Sequence, residues 1–352
     1  FKLRDWVDQI YDSNSTSGWG REGNRQIIAQ LVVGTELIAK KRKQPRKGGD
    51  RPISIRNQDI LSLNESHWHE IDRNLSSFKE AIKNFQTCVI GSQFPEKDCP
   101  YSKSSVIYVG LYYKQLQETV VWTKDRLNEI FRAFFWANAL SQNYETDSLR
   151  VGYDMRDIEE LLRKNHKKSD SEWRSIVNNW IQKDIFINSV TQKDLEQDLL
   201  GSVSGARRQT LMLPIKYNAK KDIVDPNVSI DFPANENIEL HHIFPRVWIR
   251  DNSNSNIFPK WYADKELLEE RRECIANLTP LAANSNLTWK AKSPSTMISG
   301  FKNRAQFVGK PIWTNRFIDN QTYNALSNDQ PEAFLEFRAE QIALWILDQI
   351  KI

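Results

Sequence analysis

His241 and His242 stand side by side in "ENIELHHIFPRVW", residues 236–248, and the 352-residue chain holds only five histidines. An imidazole has an unperturbed pKa of about 6.5, so near neutral pH it can take a proton from water or, as the neutral ring, bind a metal ion. A bare HH pair is more often packing or surface than a site. This pair heads an ordered set. Asn277 stands in "CIANLTPL", Asn286 follows nine residues later in "AANSNLTWKAK", and Lys290 comes four residues after that. Arg246, Arg271, Arg272 and Lys292 are further cations suited to a polyanion backbone.

The elements that must position these residues are short. "IELHHIF" reads as a strand, "CIANLTPL" as a second, and "AANSNLTWKAK" as the start of a helix. Pro280 is tolerable in a two-stranded hairpin, which consists only of edges. On the helix Asn286 and Lys290 are one turn apart on one face, which would let Lys290 hold a phosphate. Asn284 takes the place of Asn286 if the helix begins later. Adjacent strand residues point to opposite faces, so His241 and His242 can share a pocket only through a bulge or a strand end, which Pro245 favours. The excursion from Arg250 to Glu273 predicts a loop and one helix.

The rest of the chain predicts helices. Leu127, Ile130, Phe131, Phe134 and Phe135 form a core stripe opened by Thr123 as cap. Ser66 is the expected cap of a helix carrying His67 and His69, which sit on different faces and cannot chelate one metal there. Apolar residues between 24 and 41 run into "KKRKQPRKGGDR", seven basic residues from Lys40 to Arg51, read as a solvated loop or a phosphate contact. A last helix starts at Pro331, favourable as a first helical residue, and buries Leu335, Ile342, Trp345, Ile346 and Ile350. The domain junction falls at roughly residues 200–220.

Forty-nine Lys plus Arg against forty-five Asp plus Glu give a net charge of +4, which permits a nucleic-acid partner without requiring one. Cys88, Cys99 and Cys274 form no CxxC pair, so neither a disulfide framework nor a cysteine zinc site is signalled and a reducing cytoplasm fits. There is no apolar run of about 18 residues and no leader-like start, so a membrane partner is not expected.

The order of a histidine in strand one, an asparagine in strand two and a polar residue on the helix resembles the HNH family of ββα-metal nucleases. "HHIFP…IANLTPLAANSN" resembles more closely the C-terminal nuclease domain of GmrSD-type restriction endonucleases, which attack modified foreign DNA. "FFWANALSQNYETDSLRVGYDMRDIEEL" looks like the helical part of their other half. The resemblance implies a mainly α fold: a helical domain over 1–210, then over 211–352 an HNH motif embedded in helices. It implies a divalent metal (Mg, Mn or Ni) on His241 and Asn286, His242 as general base and Asn277 orienting it. Phosphodiester hydrolysis needs an activated water and stabilisation of charge on phosphorus and on the departing oxygen, which such a set can supply. With no carboxylate among the implied ligands, Mn or Ni should bind better than Mg. The implied role is an anti-phage restriction nuclease acting on DNA, with the oligomeric state left open. The family's nucleotide-binding module carries a "DGQQR"-type motif that this chain lacks, so NTP is expected to act only through a module outside it. The rival readings are a catalytically silent nucleic-acid-binding module and a helical regulatory protein in which the motif is accidental. Loss of His242 or Asn286 would mark the first, and both residues are present.

Overall fold

A computed structural model describes residue 19 and residues 25–39, 53–144, 149–186, 190–230, 237–300 and 311–352. The basic run from Lys40 to Arg51 lies outside the described residues. The chain is mainly helical, and among the described residues its one sheet has two strands. It divides into two compact units, Phe1–Ser189 with Gln349–Ile352, and Val190–Asp348. The division falls before the 200–220 region named from sequence. Helix Gly205–Tyr217 packs on the sheet and thus belongs with the second unit.

The first unit is a helical bundle centred on aromatics. Thr123 caps helix Lys124–Ser141, accepting the Arg126 amide at 3.3 Å, and all five residues of the stripe are buried, as the spacing requires. The Phe85 ring meets those of Trp19, Phe94, Phe131 and Phe135 at centroid distances of 5.2, 5.8, 5.8 and 6.2 Å, an edge-rich cluster that aromatic quadrupoles favour. Helix Arg25–Val33 passes into a π-turn, Gly34–Ile38, against helix Ser105–Gln117. A Cβ on Gly34 would lie 2.5 Å from Val106 Cγ1 and 3.0 Å from its carbonyl oxygen, so the close approach needs glycine. Ser66 is not the cap expected of the following helix. Asn64 caps Glu65–Arg73 by accepting from the His67 amide, and His67 Nδ1 accepts the Asn64 N–H at 3.1 Å, a reciprocal capping box.

In the second unit β1 (Ile238–His242) pairs antiparallel with β2 (Leu278–Ala282), and helix Ala283–Trp289 follows β2 without a gap. A short helix, Arg246–Asp251, leads into the excursion, which holds one helix, Lys265–Arg272, as expected. Two buried guanidiniums brace β2 from behind. Arg316 donates to Thr279 Oγ1 at 3.1 Å and to the Lys221 and Ile312 carbonyls; Arg338 donates to the Ala276 and Arg316 carbonyls. Burial pulls their pKa values down to about 10 and about 9, which leaves both charged at neutral pH. Buried Asp222 lowers the charge imbalance beside Arg316 and accepts the Ala282 amide at 2.7 Å. Helix Pro331–Gln349 starts at the expected proline and supplies Arg338.

Candidate active site

β1 is regular to its end: five consecutive residues pair in register, with His241 opposite Thr279 and His242 opposite Leu278. The bulge considered from sequence is absent. The strand does end at His242, after which the Ile243 amide donates to the Asn277 carbonyl at 2.8 Å. Alternation therefore sends the two rings to different neighbours.

His241 is 6% exposed and turns towards helix Ala283–Trp289. Its Nδ1 lies 2.6 Å from Asn286 Oδ1 across 45 residues of sequence, and the Trp289 ring packs beside it with centroids 5.0 Å apart. Asn286 Nδ2 donates to Glu239, which shares the face of β1 with His241 because the two are two residues apart. That bond commits the amide nitrogen to Glu239, so Oδ1 faces the imidazole and His241 Nδ1 donates. Nε2 is then the lone-pair nitrogen; it is buried and has no hydrogen-bond partner. Desolvation drives the His241 pKa down to about 4, partly offset by the Asn286 hydrogen bond, so the ring is neutral at pH 7. Asn284 is exposed on another face of the helix, which settles the register in favour of Asn286 as the partner of His241.

His242 has a side chain 17% exposed, and its Nε2 faces Arg246 Nε at 3.4 Å and Glu273 Oε2 at 3.5 Å. Burial first, then the Arg246 charge, lowers its pKa and favours the neutral ring. Asn277 is not in β2 as read from sequence; it closes the 3₁₀ turn Ile275–Asn277 just before the strand. Its fully buried side chain accepts the Phe244 amide at 2.9 Å and donates to the Phe244 and Arg272 carbonyls at 3.0 and 3.1 Å. Asn277 thus holds the loop that leaves His242, and it does so through backbone groups, not through the ring.

Lys290 departs from expectation. The helix ends at Trp289, and Lys290 is its C-cap with φ 47° and ψ −115°, exposed and off the helical face of Asn286. The reason is length: seven residues allow fewer than two turns after the start at Ala283. Arg271 is also committed elsewhere, donating to the Leu200 carbonyl and stacking its guanidinium 5.7 Å from the Trp261 ring centroid. Lys292 is exposed. Sequence reasoning passed over Glu239, Glu273 and Thr279. Period-two alternation from His241 is the signal that finds Glu239; nothing local points to the other two.

His241 is a neutral imidazole whose orphaned buried Nε2 could face a divalent cation, but the Asn286 amide oxygen accepts from Nδ1 on the other side of the ring, so the two side chains as placed do not ligate one ion. Among the described residues no cluster of three or more His, Cys, Asp or Glu could hold a metal, so an ion here would have His241 as its one neutral protein donor, with Asn286 and Glu239 orienting the ring. Fold and site thus define a mainly helical protein whose second unit presents a strand–strand–helix element with a His–Asn pair across it. The chain matches no protein-family model and no curated protein. No helix among the described residues is long and apolar enough to cross a membrane.

Proposed function

We propose that the protein is a metal-dependent DNA endonuclease of the HNH type, the nuclease part of a restriction system acting on foreign or modified DNA. The observation that carries this reading is the 2.6 Å contact between His241 Nδ1 and Asn286 Oδ1, which joins strand to helix with a second histidine next in the chain. A divalent cation held by His241 Nε2, with Asn286 orienting the ring through Nδ1, would stabilise the charge that develops on the phosphate and the leaving oxygen. His242, kept neutral by burial and by Arg246, takes the proton from the attacking water. Asn277 is a positioning residue: it fixes the Phe244 backbone and with it the loop that begins at His242. Because the rings leave β1 in different directions, a phosphodiester would reach both only by lying across the strand's end.

The test is nicking of supercoiled plasmid, modified and unmodified, with Mg, Mn or Ni. Wild type should nick, and His242→Ala should fall by about a hundredfold or more, the usual contribution of a general base. Nicking that survives the substitution removes His242 from the mechanism. Absence of cleavage on every substrate, together with absence of metal binding, overturns the nuclease reading.

A further inference from the structure

Arg246 and His242 meet at one carboxylate, that of Glu273. Glu273 Oε2 pairs with Arg246 Nη2 and lies 3.5 Å from His242 Nε2, which accepts from Arg246 Nε at 3.4 Å; Oε1 lies 3.6 Å from Nε of Arg272, whose two terminal nitrogens are bound to Glu269. The Arg246 side chain is 57% exposed and that of Glu273 is 39% exposed, so the pair sits at the open end of β1 and is not part of the core. Helix stability does not account for it. Arg246 is the first residue of helix Arg246–Asp251, where the macrodipole disfavours a cation, and Glu273 is the C-cap of Lys265–Arg272, where it disfavours an anion. Both partners thus occupy the helix end that suits their charge least. A guanidinium that pairs with an exposed carboxylate binds a phosphate oxygen as readily.

We infer that the Arg246 guanidinium, beside His242, is a seat for a nucleic-acid phosphate, and that the Glu273 carboxylate fills this seat in the resting chain and is displaced when the backbone binds. The inference rests on the nuclease reading for its choice of ligand, and on the geometry of the carboxylate for the seat itself. Glu273 then acts as a built-in competitor, which lowers affinity for every phosphate that does not bring enough other contacts to displace it.

The experiment is fluorescence anisotropy of a short labelled DNA duplex with the full chain and no metal, using wild type, Glu273→Gln, Glu273→Ala, Arg246→Ala and the Arg246→Ala/Glu273→Gln double variant. Glu273 is part-exposed, and circular dichroism confirms that each variant is folded. Both Glu273 variants should bind about threefold tighter, the scale of a partly exposed ion pair that no longer has to be broken. Arg246→Ala should bind more weakly, with its salt dependence reduced by about one counterion. In the double variant the gain from Glu273→Gln should vanish. Unchanged or weaker binding by both Glu273 variants overturns the inference, as does a gain that persists without Arg246 or an absence of DNA binding by every form. Nicking is scored separately. This binding series in a protein that cleaves nothing leaves the seat standing and the nuclease reading fallen; cleavage without the series does the reverse.

Discussion

Asn277→Ala offers the sharpest stability test because its side chain does one definable thing. The substitution removes three hydrogen bonds, at 2.9, 3.0 and 3.1 Å, from a side chain with no exposed surface. Each bond contributes about 1 kcal/mol net, and the Phe244 amide left without a partner adds a desolvation penalty of about 1–3 kcal/mol, so the loss should be about 4–6 kcal/mol. Asn277→Asp keeps the shape but points a second acceptor at the Phe244 and Arg272 carbonyls, and it should destabilise at least as much. Urea unfolding of the full chain, followed by tryptophan fluorescence and by far-UV circular dichroism, reads both values from the shift in midpoint at constant slope. A loss under about 1 kcal/mol for Ala, against the range expected for stranded buried groups, or wild-type stability for Asp, would refute the claim that Asn277 anchors the loop after His242.

Further outcomes follow from the same contacts. His241 titrates near 4 when folded and near 6.5 when unfolded, so the unfolded chain binds more protons between these values; in the presence of chelator, stability should be full above pH 6.5 and fall by about 3 kcal/mol on acidification to pH 4, a slope that His241→Gln should flatten. Asp154 behaves oppositely: burial raises its folded pKa to about 6 from 3.8, so its contribution is present below that window and lost as pH rises through it, and Asp154→Asn should abolish the slope in pH-dependent urea unfolding. Phe85→Ala, which empties the centre of the aromatic cluster, should cost about 3–5 kcal/mol by the same unfolding measurement. Arg316→Met leaves Asp222 without its buried counter-charge and should cost about 3–5 kcal/mol; a neutral effect would show that Asp222 is satisfied by the Val224, Asp225 and Ala282 amides alone.

Much of the second unit was legible in the sequence because it is written in short-range periodicity. Alternating apolar residues before His241, proline behind His242 and an apolar run holding Asn277 and Pro280 are local signals, and they located both strands and the helix after them. The Phe131–Phe135 stripe was legible for the same reason, since a 3.6-residue period is visible without any partner. What was not legible depends on where an element stops. The helix ends one residue before Lys290, and strand β2 begins one residue after Asn277, whose long-range bonds to Phe244 hold it outside the strand. Long-range partners were out of reach as well. Arg338 reaches Ala276 across 62 residues and Arg316 reaches Lys221 across 95, and no local pattern marks an arginine destined for burial. Glu273 is the instructive case, because in sequence it is one more charge in "ELLEERRE", and only the fold sets it against His242 and Arg246.

The division of work between the two histidines is most directly tested by titrating Mn²⁺ into wild type, His241→Ala and His242→Ala by calorimetry at pH 7. The account expects one site in wild type, a loss of about tenfold or more in affinity for His241→Ala, and binding within about twofold of wild type for His242→Ala. Undiminished binding by His241→Ala, or loss of binding by His242→Ala, would contradict it and exchange or abolish the roles assigned to the pair.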